Sequence, residues 1–250
     1  MLTQPLFEKL TQLRLGGFRR AFEAQLESTH YAELSFEERL GLLVDIEITQ
    51  RANNKLRRRI KAAHFPLQAT IEDLDLSPSR GLKRAQILEL AQGEWVRRRL
   101  NVLVLGATGA GKTFLASALG RASIETDLTA RYFRTSRLLH SVELAHADGS
   151  FHKLLRSLAR THLLILDDWL RDPLSNSQAR DLLEILDDRY GRASTLIATQ
   201  VPVSSWLARI PDPTIGDSIL DRIVHNAYRL ELTAAESMRK THSPLKETTS

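Results

Sequence analysis

The chain has 250 residues, 42% hydrophobic and 26% charged, a balance that supports a sizeable buried core and excludes a disordered or low-complexity protein. Its 35 basic and 30 acidic residues leave a net charge of +5, which favours an anionic partner. Cysteine is absent, which excludes disulfides, thiolate metal sites and thiol nucleophiles. Met1 to Arg14 mixes charges among its leucines, so neither a signal peptide nor a membrane anchor is expected and the chain reads as cytoplasmic.

From Leu6 to Leu26 apolar residues recur at helical spacing, with a break expected at Gly16 and Gly17. Ser35 followed by Glu38 and then Leu40, Leu43 and Ile46 has the form of a capping box, and predicts a helix running to about Ala63. Its second half carries Arg51, Lys55, Arg57, Arg58, Arg59 and Lys61, with no acidic residue between Ile48 and Ile71. Such a run is either a solvated helix face or a contact for the phosphate backbone of double-stranded DNA. The polar stretch from Pro66 with Pro78 and Gly81 reads as a linker. The expected organisation is a helical domain over residues 1–65, linker and short helix over 66–92, a nucleotide-binding domain over 93–235 and a tail over 236–250.

Beyond a short helix at Arg84 to Gln92, strands and helices alternate. Strands are expected at Asn101 to Leu105, Ala130 to Arg134, Leu163 to Asp167, Thr195 to Thr199 and Tyr228 to Leu232. Helices are expected at Lys112 to Ile124, within Thr135 to Ala159 and at Ser175 to Tyr190. Apolar strands interleaved with helices specify an α/β fold, a mostly parallel sheet covered on both faces.

The segment Gly106-Ala107-Thr108-Gly109-Ala110-Gly111-Lys112-Thr113 fits the full P-loop pattern between an apolar strand and a helix. Its glycines let successive N–H groups point at phosphate oxygens, and the helix adds the positive end of its dipole. Lys112 is expected to reach the β- and γ-phosphates of ATP, and the Thr113 hydroxyl to bind Mg²⁺. The strand Leu163 to Asp167 ends in two carboxylates: Asp167 is expected to orient Mg²⁺ and Asp168 to polarise the attacking water. Asp-Asp also commonly caps a following helix, and the P-loop in the same sheet favours the chemical role. Thr199 is a candidate for bonding the γ-phosphate or attacking water, against the plainer reading of a turn residue. Arg222 is a candidate arginine finger for a neighbour's nucleotide, against a surface salt bridge with Asp221 or Asp217.

With these residues in hand, the chain resembles the IstB-like ATPases of insertion sequences, relatives of the bacterial helicase loader DnaC. The likeness extends through Ala32 to Leu40, Arg58 to Ala63, Phe65-Pro66, the P-loop, Leu164 to Trp169, Ile219 to Ala227 and Glu236 to Lys240. It implies an AAA+ P-loop NTPase that self-assembles on DNA with ATP bound, regulates an IstA-like DDE transposase by target capture, and is reset by hydrolysis. It also implies Lys112, Thr113 and Asp167 as ATP and Mg²⁺ ligands, Asp168 in the place of the usual catalytic Glu, Thr199 as sensor and Arg222 as finger. Two departures matter: Asp168 is a methylene shorter than Glu, which implies slow turnover, and 18 residues after the last strand leave no room for the helical lid common in AAA+ proteins. Thr233 to Glu236 lacks the glycine expected there, so no sensor role carries over to Arg239. Rival expectations are a helicase loader and a non-hydrolysing, nucleotide-gated DNA-binding scaffold.

Overall fold

The computed structural model describes residues 3–233, so Arg239 and the rest of the tail lie outside the described residues. It divides into two compact units, residues 1–58 and 59–250.

The first unit is helical: α1 (Thr3–Gln12), α2 (Gly16–Glu27) and most of α3 (Phe36–Ala63). The glycine pair opens α2 rather than interrupting it, because the turn is made earlier, with Arg14 at φ 57°. Gly17 is there for close approach: a Cβ on it would stand 3.0 Å from Gln50 Cβ of α3. Beside it, the buried Glu47 carboxylate accepts from the Phe18 N–H at 3.0 Å and from Arg51 at 2.6 Å. A carboxylate at the start of α2 meets that helix's positive dipole end. The capping box at α3 is present, Ser35 accepting from the Glu38 N–H and Glu38 from the Ser35 N–H. Those bonds, the backbone one first, hold the Glu38 carboxyl below its ordinary range.

The second unit contains α4 (Arg84–Ala91), α5 (Glu94–Arg97), β1 (Asn101–Gly106), α6 (Lys112–Glu125), β2 (Ala130–Arg134), α7 (Thr135–Ala147) and α8 (Phe151–Ala159). It continues through β3 (Leu163–Asp167), α9 (Asn176–Arg189), β4 (Ser194–Thr199), α10 (Pro213–Val224) and β5 (Ala227–Leu232). The strands form one parallel sheet in the order β2-β3-β4-β1-β5. β3 and β4 are buried throughout and β1 over its first four residues, as strands covered on both faces must be, whereas the edge strands β2 and β5 alternate. Against the expected elements the boundaries shift by a residue or two. The helical stretch after β2 is split by a turn at Gly149 (φ 76°), and α5 and α10 are additional helices.

Two features fix the layers on the sheet. Trp169 and Trp206, both fully buried, pack 5.8 Å apart on the core of Leu103, Leu138, Leu164 and Ile197. On α6, Gly120 leaves a notch: a Cβ there would lie 2.6 Å from Ile165 Cδ1 and 2.7 Å from the Phe65 ring. Among the described residues no helix is long and apolar enough to cross a membrane.

Candidate nucleotide-binding site

The site is built at the carboxyl end of the sheet, where a parallel α/β fold opens its loops. β1 ends at Gly106, which adopts φ 156°; a Cβ there would sit 2.7 Å from the Leu232 carbonyl oxygen at the end of β5. Gly109 (φ 81°) and Gly111 (φ 92°) carry the chain round in conformations that side-chain-bearing residues rarely adopt, and α6 begins at Lys112. The Lys112 ammonium donates to the carbonyls of Gly106 and Ala107, each at 2.8 Å, and so lies across the loop's mouth. Its side chain is buried to about nine-tenths.

One sheet position over from β4, Asp167 ends β3, almost fully buried. Its Oδ2 accepts from the Thr113 hydroxyl at 2.6 Å and the Tyr132 phenol at 2.7 Å, and its Oδ1 from the Asp168 N–H at 2.8 Å. The Thr135 hydroxyl donates to the Asp167 carbonyl at 3.0 Å. Burial, then the Asp167 charge and hydrogen bond, push the Tyr132 phenol well above its ordinary range, which keeps it a donor. Thr113 and Asp167 thus present a hydroxyl and a carboxylate side by side beneath the loop. Hard oxygen donors of this kind suit Mg²⁺, whose remaining positions are filled by phosphate and water. Among the described residues no group of three His, Cys, Asp or Glu is placed to bind a metal without such help.

Asp168 has φ 54°, a left-handed conformation costly for a residue with a side chain, and its carboxylate lies 3.7 Å from Arg171. Thr199 is fully buried. Its hydroxyl donates to the Trp169 carbonyl at 2.7 Å and accepts from the Val201 N–H at 2.9 Å, so both capacities are used inside the fold. The side chain that does reach the P-loop from this strand end is Gln200, hydrogen-bonded to Thr108. Gln200 escaped notice because a polar residue just past a strand is unremarkable in sequence. Tyr132 was missed because strand order, which places β2 beside β3, cannot be read from spacing.

Arg222 is at the other end of the sheet. The Asn101 side-chain amide, at the first residue of β1, donates to the Arg222 carbonyl at 3.0 Å. At ~3.3 Å per residue, β1 alone separates it from its own P-loop by roughly 16 Å. Its guanidinium bonds Asp187 at 2.8 Å and Asp221 at 2.9 Å and lies over Tyr190; the Asp187 bond leads in raising its pKa. Asp217 is not among its partners in the salt bridges described.

The basic run of α3 spreads over a broad arc of the helix. Arg51, Lys55 and Arg58 follow i, i+4, i+7 spacing, and Lys61, three residues past Arg58 and four past Arg57, continues the arc. Arg51 is tied to Glu47 and Arg59 to Asp127, each at 2.6 Å, and Arg58 Nε donates to the Asn54 carbonyl at 3.3 Å; Lys55, Arg57, Arg58 and Lys61 are exposed.

A parallel sheet in this order, with a phosphate loop after β1 and the acidic β3 terminus hydrogen-bonded to it through Thr113, defines a P-loop nucleotide-binding protein with an AAA+ core. Residues 8–245 match the family model described as IstB-like ATP binding protein, and the chain belongs to that family. It is 42% identical over 240 residues to an insertion sequence ATP-binding protein of Sinorhizobium fredii, covering 96% of this chain and 98% of the relative. An insertion sequence ATP-binding protein of Pseudomonas fluorescens is 44% identical over 214 residues, covering 85% and 93%. The fold is similar to that of DnaI, with a TM-score of 0.57 at 19% identity over 71% of this chain and 94% of that one.

Proposed function

We propose that the chain is an ATP-dependent transposition helper, which assembles as a homo-oligomer on double-stranded DNA with ATP bound and delivers that DNA to an IstA-like DDE transposase. The observation that carries this reading is the P-loop beside the Thr113–Asp167 pair in a chain whose family is that of insertion-sequence ATP-binding proteins.

In this reading the loop amides of residues 106–113 and Lys112 grip the triphosphate, and Thr113 and Asp167 hold Mg²⁺, which when bound offsets phosphate charge. Asp168 orients the attacking water. Gln200, rather than Thr199, meets the terminal phosphate, and Thr199 tethers β4 to the turn after β3. Arg222 acts on a neighbouring subunit's nucleotide, since roughly 16 Å of strand keeps it from its own. The exposed cations Lys55, Arg57, Arg58 and Lys61 contact DNA phosphates, and hydrolysis resets the assembly.

The test is a duplex-DNA shift with and without ATP, run beside capture of the transposase encoded in the same insertion sequence. ATP-dependent retention that is lost in Lys112→Ala, together with transposase capture, supports the reading; ATP-independent retention or capture of a replicative helicase defeats it. A second reading, a nucleotide gate without hydrolysis, is favoured by the short Asp168 carboxylate and its proximity to Arg171. It predicts no ATP turnover while ATP-dependent DNA binding persists.

A further inference from the structure

The linker supplies a cation to the phosphate loop from outside the recognised motif. Arg80 ends a short turn at Pro78–Arg80 and is 8% exposed. One guanidinium nitrogen donates to the Ala110 carbonyl at 2.5 Å, while its Nε is buried with no hydrogen-bond partner, 3.8 Å from Asp75. Its backbone is clamped as well. The Arg80 carbonyl accepts from the Thr233 N–H at 3.0 Å, and Gly81 turns at φ 74° so close to β5 that a Cβ would meet the Glu231 carbonyl at 2.8 Å.

The Ala110 carbonyl and the Gly111 N–H belong to one planar trans peptide and point in opposite directions. Holding the carbonyl toward Arg80 turns that N–H away from the linker. Gly111 tolerates either sign of φ, so its own backbone preference does not fix this peptide's orientation. We propose that Arg80 is a positioning residue for nucleotide binding: it pins the Ala110–Gly111 peptide so that the Gly111 N–H faces the phosphates, and it couples the linker to the state of the loop. This role rests on the nucleotide reading above.

The experiment titrates the full chain with fluorescent ATP and ADP analogues and measures nucleotide-free thermal melting for wild type, Arg80→Gln and Arg80→Lys. Arg80→Gln should weaken both nucleotides by about tenfold or more, the worth of a hydrogen bond to a charged group. Lys places a cationic donor near the same carbonyl and should restore most of the affinity, with nucleotide-free melting little changed in either variant. Should Arg80→Gln not fold, Arg80→Met, which keeps the packed stem, takes its place. Unaltered affinity in the folded neutral variant overturns the proposal. So does an affinity loss that Lys fails to rescue and that tracks a fall in nucleotide-free melting. A wild-type chain that takes up neither analogue defeats the nucleotide reading itself, whereas wild-type uptake with equal uptake by Arg80→Gln defeats only the role of Arg80.

Discussion

The two ends of the parallel sheet are built from different materials. At the carboxyl ends of the strands, glycines with positive φ, backbone amides and short oxygen side chains surround Lys112 and Asp167. At the amino ends, arginines dominate. Arg59 pairs with Asp127, Arg97 bonds Glu94 and the Thr126 carbonyl, and Arg222 borders a recess of about 160 Å³ shared with Arg99, Arg189 and Tyr190. One end can receive an anion between backbone amides and Lys112; the other carries arginines, most of them paired with carboxylates. In the assembly proposed above, such a molecule would associate head to tail, each subunit completing its neighbour's site.

The largest expected effect breaks this complementarity. Arg222→Ala should lower ATP hydrolysis by about 10³-fold, the usual worth of an arginine finger, while leaving nucleotide affinity nearly intact. Steady-state turnover beside a binding titration checks it; normal turnover would show that the donor end acts through another residue. Mixing Arg222→Ala with Lys112→Ala sharpens the comparison. Each variant lacks a different end, so mixed assemblies should regain turnover at the interfaces where an intact loop meets an intact arginine.

Next in size is Arg189, the fully buried cation at the donor end, which donates to the carbonyls of Leu158, Thr161 and Ser194. Burial pulls its guanidinium down to about 9, so the carbonyl cluster holds a cation that the core disfavours. Arg189→Leu would remove the donor from these three carbonyls and from the Thr195 hydroxyl, and should destabilise the fold by about 3 kcal/mol or more, read by denaturant unfolding. Lys112→Ala follows, with ATP affinity reduced by roughly a hundredfold, or about 2.7 kcal/mol, in the same titration.

The smallest effect is a pH dependence. His162 accepts at Nδ1 from the Thr129 N–H at 3.2 Å, and burial, then Arg59, Arg97 and Arg189, lower its pKa below 6.5. The folded state therefore binds fewer protons than the unfolded state as pH falls through 6.5, so this contribution is present above that value and is lost on acidification. His162→Asn should flatten part of the stability loss between pH 7 and 5, by less than about 1 kcal/mol for so exposed a group. Unfolding curves at the two pH values measure it.

Much of this was legible in the chain. The P-loop, the β3 carboxylates and the Ser35–Glu38 box are local: each consists of a few residues whose spacing fixes the geometry. Strands β2 and β3 fell where their apolar runs predicted, with bounds that agree to the residue. What stayed hidden depends on contacts distant in sequence. Arg80 reaches Ala110 across 30 positions, Tyr132 reaches Asp167 across 35, and Thr108 meets Gln200 across 92. Thr199 shows the converse. Its place at a strand end suggested an open hydroxyl, but burial requires that hydroxyl to be satisfied, and the Trp169 carbonyl and Val201 N–H lie within reach. The basic run of α3 likewise reads as one block in the chain but spreads over about half the helix circumference once wound.

Gly120 sets a tolerance on the whole arrangement. The Phe65 ring enters the missing methyl of α6 like a pin in a socket, a few residues past the end of α3. Any roll of α6 that carried Gly120 away from Phe65 would bring bulkier positions against the ring. The helix that starts at the phosphate loop is thus keyed in rotation by one absent carbon atom, and even an alanine at that position would have to unseat the pin.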